Sequence, residues 1–280
     1  MPIYTLMLQS AAIFGVIAAV SWFIRKQSIR KGVGFTLQWG ALGDLAAGVF
    51  ICFIAMVGIF LVEWLIGGIR VEGLHLDSES LIDGLRSWAF TAVFEEIISR
   101  SLQLSGIHII IGVIFAFLLS GSLGGTFSSR LDRVLGWCKW LAILISAVLF
   151  GYAHIRNPGA NLLTAFGNAL GGLMYGIAFL GGRNIWLPIG MHFSWNFIQG
   201  TILGFPVSGR TQSGLVAQQP IGSDLLTGGA YGPEGGLSGM FFRFVVIAMV
   251  LYYLQLRCQR QGNIKILDFP IKIYDNPPRR

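Results

Sequence analysis

Thr91-Ala-Val-Phe-Glu-Glu-Ile-Ile-Ser-Arg100 is the stretch on which the reading of this chain turns. Two adjacent carboxylates sit in an apolar run, and a cation follows the second by one helical turn. On a helix Glu96 and Arg100 share a face and can pair. Glu95 points about 100° away from Glu96, free to face something else. Trp88, Ala89, Phe90, Ala92, Val93, Phe94, Ile97 and Ile98 make up the rest of the stretch. A charge in such surroundings is costly unless it is paired or does chemistry.

The whole chain shares this character. Of its 280 residues 54% are hydrophobic and 12% charged, against roughly 25% charged in a soluble domain. The mean hydropathy is +0.68. This predicts an all-α, polytopic membrane bundle of about eight transmembrane helices, forming one integral membrane domain over 1–280. The net charge of +7 does not imply a nucleic-acid partner, because no basic run is interleaved with aromatics. Lys and Arg fall in short loops and the tail, where they set topology and meet anionic headgroups. Cys52, Cys138 and Cys258 are far apart and lack CxxC spacing, so neither a disulfide framework nor a thiolate metal site is indicated. Met1 to Tyr4 has no basic character and no small-residue cleavage site follows the first apolar run, which reads as a retained span.

Working outward, the paired glutamates lie in a helix from about Leu81 to Leu104. It carries Arg86, is only moderately apolar, and is expected to be covered by its neighbours and broken at Gly106. Before it come spans at about Tyr4–Ile24 and Leu45–Ile69, joined by a loop with Arg25, Lys26, Arg30 and Lys31. After it come spans near Ile107–Leu119, Trp140–His154, Leu162–Leu180, Trp186–Leu203 and Leu237–Leu256, with a Gly-rich loop over Gly204–Gly236. Gly167, Gly171, Gly172 and Gly176 let helix backbones approach closely. The tail from Arg257 to Arg280 is basic and reads as mobile. Eight crossings would put the basic first loop and the basic tail on opposite sides of the membrane, against the tendency of such loops to share the cytoplasmic side.

Ionisable residues at membrane depth are functional candidates by default. Besides Glu95, Glu96 and Arg100 they include His154, one turn after Phe150, and His192, four residues before Asn196 and on the same face. Arg243 has Glu63 as its candidate partner. A carboxylate pair, two histidines and an Asn converging on one wet cavity would hold a base, proton carriers and an oxyanion donor, which suits amide hydrolysis by an activated water. Other protease signatures fail. There is no HExxH, Ala41-Leu42-Gly43-Asp44 lacks the first Gly of GxGD, and Leu119-Ser120-Gly121-Ser122 does not form a rhomboid serine site.

The three patterns, Glu95-Glu96 to Arg100, Phe150 to His154 and His192 to Asn196, occur in order. Together they resemble the CPBP family of intramembrane proteases, also called the Abi or type II CAAX prenyl endopeptidase family. The flanks HIRNPGAN, WLPIGMHFSWNFIQG and GFPVSG resemble its bacterial members, and the likeness covers about Leu81 to Gly209. It implies a helical bundle with a conical intramembrane cavity. Glu95 and His154 would activate a water; Glu96, His192 and Asn196 would complete the site, Asn196 with His192 at the oxyanion; Arg100 would hold a carboxylate. The family leaves metal dependence open. His154, His192 and Glu96 would form a His₂Glu zinc set, but Asn is a poor zinc ligand and a glutamate–histidine mechanism needs no ion, so no obligatory cofactor is expected. The implied partners are a membrane-embedded or lipidated peptide substrate and the lipid bilayer, in a bacterial cytoplasmic membrane. A non-catalytic immunity or scaffold protein and a proton-coupled transporter are the competing classes.

Overall fold

Asp77 starts the helix that carries both glutamates. In the computed structural model, which describes residues 12–24, 28–35, 39–182 and 184–260, its carboxylate accepts from the Glu79 and Ser80 amides. These donors and the Ser80 hydroxyl hold the Asp77 carboxyl below its ordinary range, so the cap is in place at neutral pH.

The helices of ten or more residues in chain order are α1 (Ala12–Phe23), α2 (Trp39–Leu65), α3 (Ser78–Leu118), α4 (Phe127–Ala153), α5 (Leu162–Gly182), α6 (Trp186–Asn196) and α7 (Leu237–Arg260). Five of them, α2, α3, α4, α5 and α7, are long and apolar enough to cross a membrane. The protein is an all-α polytopic bundle. Its β content among the described residues is small: β1 (Ile69–Leu74) pairs antiparallel with β2 (Val216–Pro220) inside the long loop, and an isolated bridge joins Val207 to Arg210. Large apolar side chains face outward all round, among them Phe50 at 61%, Phe117 at 72% and Leu162 at 86% exposure, as lipid-facing positions do.

Two expectations about the central helix need correction. Gly106 does not break it. Ser78–Leu118 is continuous through a π-helical segment, Ile97–Leu104, and Gly106 instead admits the Ile13 side chain of α1. A helical Gly costs about 1 kcal/mol relative to Ala, less than exposing unpaired backbone in lipid. Nor do neighbours cover it all round: Gly84, Trp88 and Ala92 are buried on one face, but Arg86 is exposed on the other, and Phe90 and Phe94 are 71% and 49% exposed.

The expected third helix and fourth span are thus one, which lowers the count from eight to seven helices of ten or more residues among the described residues. That removes the conflict over sidedness. The α1–α2 connection, the α5–α6 turn and the far end of α7 meet on one face. There the Ile185 amide donates to the Gly34 carbonyl (3.0 Å). Arg257 pairs with Asp44 at the start of α2 (2.9 Å) and donates to the Gly182 carbonyl (3.1 Å). Tyr253 and Asn184 donate to the same Asp44 carboxylate, so the Asp of the ALGD run is a structural acceptor. The α3–α4 turn belongs to this face too, since Val33 shares a buried cluster with Leu131, Val134 and Leu135. Residues 261–280, expected to be a mobile tail, lie outside the described residues.

Close glycine contacts set the helix spacing. A Cβ on Gly190 would lie 2.2 Å from the Leu45 carbonyl oxygen, and one on Gly48 2.4 Å from that of Leu187, so α2 and α6 touch backbone to backbone. Gly172 meets the Ala147 backbone in the same way across α4 and α5, while Gly176 admits the Ile143 side chain. Gly190→Ala is expected to force α2 and α6 apart at a cost of roughly 1–3 kcal/mol, read as a lower melting temperature in detergent. An unchanged melt would mean that the helices separate freely here.

Candidate active site

Glu96 is wholly buried between two partners. Its Oε2 lies 3.1 Å from Arg100 Nε, and its Oε1 lies 2.8 Å from His192 Nδ1. The i, i+4 spacing on α3 supplies the first contact, and the antiparallel run of α6 against α3 supplies the second. A carboxylate beside a guanidinium accepts, so Nδ1–H of His192 is the donor, and this fixes the imidazole. Its Nε2 is turned towards Glu95 Oε2, 3.9 Å away. The Glu95 side chain keeps 35% of its exposure while Glu96 keeps none. Two adjacent carboxylates therefore have different environments: one is locked in an ion-paired network and one faces a cavity.

Phe150 is the platform for the cluster. The Arg100 guanidinium lies over its ring at 4.6 Å and over that of Tyr175 at 5.4 Å. The His154 ring sits 4.6 Å from Phe150. His154 Nδ1 lies 2.8 Å from the Phe150 carbonyl oxygen. A carbonyl only accepts, so Nδ1 carries the proton and the neutral ring presents a lone pair at Nε2. His192 stacks on Tyr175 at 4.9 Å with a 12° interplanar angle. Packing and hydrogen bonds thus hold the imidazoles from several sides.

The cavity has a volume of about 450 Å³. Glu95, His154, His192 and Asn196 all line it, from α3, the end of α4, and α6. Glu96 and Arg100 lie behind its wall, with no exposed surface. Two of the site-bearing helices change to π-helix just after their site residues: α3 after Glu96, and α6 after Asn196 with Phe197–Ile202. Such π segments are frequent at functional sites.

Sequence reasoning did not single out Tyr175, Asn168, Arg243 with Glu234, or the capping loop. Asn168 donates to the Thr164 carbonyl and to the Tyr231 hydroxyl. Arg243 lines the cavity but does not pair with Glu63, whose carboxylate takes the Ser238 hydroxyl. Arg243 instead donates to the Glu234 carbonyl (3.0 Å), lies 3.8 Å from its carboxylate and covers Trp195 at 4.9 Å. Glu234 in turn accepts from the Ser208 amide and hydroxyl, 2.6 Å each. A signal for this existed in the glycines of α5: Gly167 admits the Glu234 carbonyl and Gly171 faces Arg243, so the stripe makes room for side chains and loop as well as for a helix. Gly209, at φ 80°, lets the loop lie against the Pro158 carbonyl after α4.

The zinc alternative needs His154, His192 and Glu96 as ligands. The Glu96 oxygens already face Arg100 and His192, and among the described residues no three His, Cys, Asp or Glu side chains gather as a metal-binding group. The arrangement can hold a proton at Glu95 or His192, accept one at His154, and present an amide at Asn196.

Residues 77–198 match the family model described as type II CAAX prenyl endopeptidase Rce1-like. No curated protein and no solved structure matches the chain.

Proposed function

We infer the chemistry from one premise: through residues 77–198 the chain belongs to the CPBP family, whose Rce1-like members are type II CAAX prenyl endopeptidases. It is a multi-pass membrane protein and an endopeptidase of the CAAX type that acts on membrane-associated substrates. Beyond that, our reading is a glutamate–histidine mechanism, and the observation that carries it is the inequality of the two glutamates. Glu96 is sealed between Arg100 and His192, whereas Glu95 is half-open to the cavity.

In this mechanism Glu95 takes a proton from a water, and the resulting hydroxide attacks the carbonyl carbon of the scissile amide. The oxyanion that forms accepts from the Asn196 amide. The proton on Glu95 passes, with His154 as carrier, to the departing amine nitrogen as the carbon–nitrogen bond breaks, giving a carboxylic acid and an amine. His192 Nε2 faces Glu95 across 3.9 Å. Glu96 fixes His192, and Arg100 neutralises Glu96. The apolar walls keep bulk water away from the reacting bond. Phe150 supports both Arg100 and His154. The substrate is a membrane-embedded or lipidated peptide, and the setting is a bacterial cytoplasmic membrane.

The reading is tested with purified protein in detergent and quenched fluorogenic peptides carrying a lipid chain or a transmembrane anchor. Cleavage that is lost in Glu95→Gln supports it. Binding of such peptides without cleavage would assign the chain to a non-catalytic role. No step requires an ion, so exhaustive chelation is expected to leave the rate unchanged, with far less than one equivalent of zinc in active protein. Stoichiometric zinc, with activity restored only on adding it back, would overturn the metal-free mechanism.

A further inference from the structure

We propose that Arg243 is a specificity-determining residue: an unpartnered N–H edge of its guanidinium takes a carboxylate of the substrate peptide, either the chain terminus or an acidic side chain. The proposal adds a residue and a ligand chemistry to the cavity already described, and its meaning for cleavage rests on the protease reading.

The bundle buries two guanidiniums around the cavity, and they are paired differently. Arg100 has Glu96 Oε2 at 3.1 Å from its Nε, so its own helix supplies the anion. Arg243, on α7, is 2% exposed and lines the cavity. Its Nη1 donates to the Glu234 carbonyl (3.0 Å), and the Glu234 carboxylate stands 3.8 Å from Nη2, beyond hydrogen-bonding distance. The Trp195 ring covers the group at 4.9 Å. None of these contacts engages Nε, which is buried without a partner among the described residues. Nε and Nη2 together present two parallel N–H donors, the geometry of bidentate carboxylate binding.

The loop explains why Glu234 does not fill this edge. Its Oε2 accepts from the Ser208 amide and hydroxyl, 2.6 Å each. Ser208 adopts φ 50° in doing so, a conformation that a non-glycine residue rarely takes. The Glu234 carboxylate is thus drawn towards Ser208, and the cation is left under-paired. Gly171 on α5, another cavity-lining residue, leaves room beside the edge: a Cβ there would stand 3.5 Å from Nε and 3.6 Å from Nη2. A buried cation with unused donors is costly until an anion meets it, and a peptide carboxylate is such an anion. Glu95 lines the same cavity and repels a second carboxylate from the catalytic groups. Repulsion at one end and the guanidinium at the other therefore set the direction in which the peptide lies.

The test uses the full-length protein in detergent with paired quenched fluorogenic peptides on one membrane anchor. The first pair differs in a free acid or an amide at the C-terminus. The second pair is amidated and differs in Glu or Gln, placed at each position in turn. The expected result is a kcat/KM roughly 10–100-fold higher for the acid member of one pair, the usual worth of charge-assisted hydrogen bonds, carried mainly by KM. Preference in the first pair assigns the edge to a chain terminus, and preference in the second to a side chain. In Arg243→Lys, which keeps the charge and loses the paired donors, the ratio is expected to fall towards one. Gly171→Ala sets a methyl against Nε and Nη2 at ordinary contact distance, and is expected to shrink the ratio without lowering the melting temperature. Equal kcat/KM within both pairs in the unmodified protein overturns the proposal. So does an undiminished preference in folded Arg243→Lys or, should that variant not fold, in Gly171→Ala. Binding of singly labelled versions of the peptides to Glu95→Gln, read by fluorescence anisotropy, separates the proposal from the protease reading. Preferential binding of an acid member with no cleavage by the unmodified protein keeps the carboxylate site and removes the proteolytic reading; equal binding within both pairs removes the site.

Discussion

Glu95→Gln is expected to lower the single-turnover cleavage rate by roughly 10²–10⁴-fold, the usual contribution of a general base, without lowering the melting temperature. Glu95 keeps 35% of its side-chain exposure and is paired to no cation; its nearest ionisable contact is His192 Nε2 at 3.9 Å. Gln keeps the shape and removes the base, and a neutral amide costs less to bury than a carboxylate. His154→Ala is expected to match it in rate, because His154 Nε2 is the other lone pair presented to the cavity. The double variant should be little worse than either single one, since groups that act as a unit are not additive. Rates come from a fluorogenic peptide in detergent, with melts on the same samples. Near-wild-type turnover in Glu95→Gln would remove Glu95 as the base and end the mechanism proposed here.

Which parts of this arrangement were legible in the sequence follows from how local each one is. The Glu96–Arg100 contact needs only a helix and a spacing of four, and both were readable. The membrane class was readable from hydropathy, because lipid demands apolar surface all round a helix. The continuity of α3 through Gly106 was not, because a glycine reads the same whether it ends a helix or admits a neighbour such as Ile13. The π segments after Glu96 and Asn196 were not, because a shift to i+5 bonding has no compositional signature. Arg243 was flagged as needing a partner, but its partner depends on how the Gly204–Gly236 loop folds back: Glu234, nine residues before it, was favoured over Glu63 on α2. The same loop brings Tyr231 to Asn168, across 63 residues of chain. Sidedness, in turn, hinged on one misread glycine, since an extra crossing inverts every element after it.

Arg100→Ala is expected to be the most damaging single change to folding, because it leaves Glu96 buried without its cation. Removing one partner of a buried pair costs roughly 3–5 kcal/mol. Here the loss also takes the guanidinium away from the Phe150 and Tyr175 rings. Glu96→Gln tests the same pair from the other end: Gln still accepts from His192 Nδ1 but strands Arg100, so stability and rate should both fall. The informative variant is the double one, Glu96→Gln with Arg100→Met, which removes both charges and roughly keeps the volumes. Replacing a buried pair by neutral groups is often neutral or stabilising, so the double variant should melt well above Arg100→Ala. Its rate should stay low, because His192 would no longer donate to the Glu96 carboxylate that fixes its ring, and Glu95 would lose its fixed neighbour. Recovery of both melt and rate would show that the pair serves folding alone. A melt as low as that of Arg100→Ala would mean that the guanidinium stabilises the bundle mainly through the aromatic rings and not through Glu96.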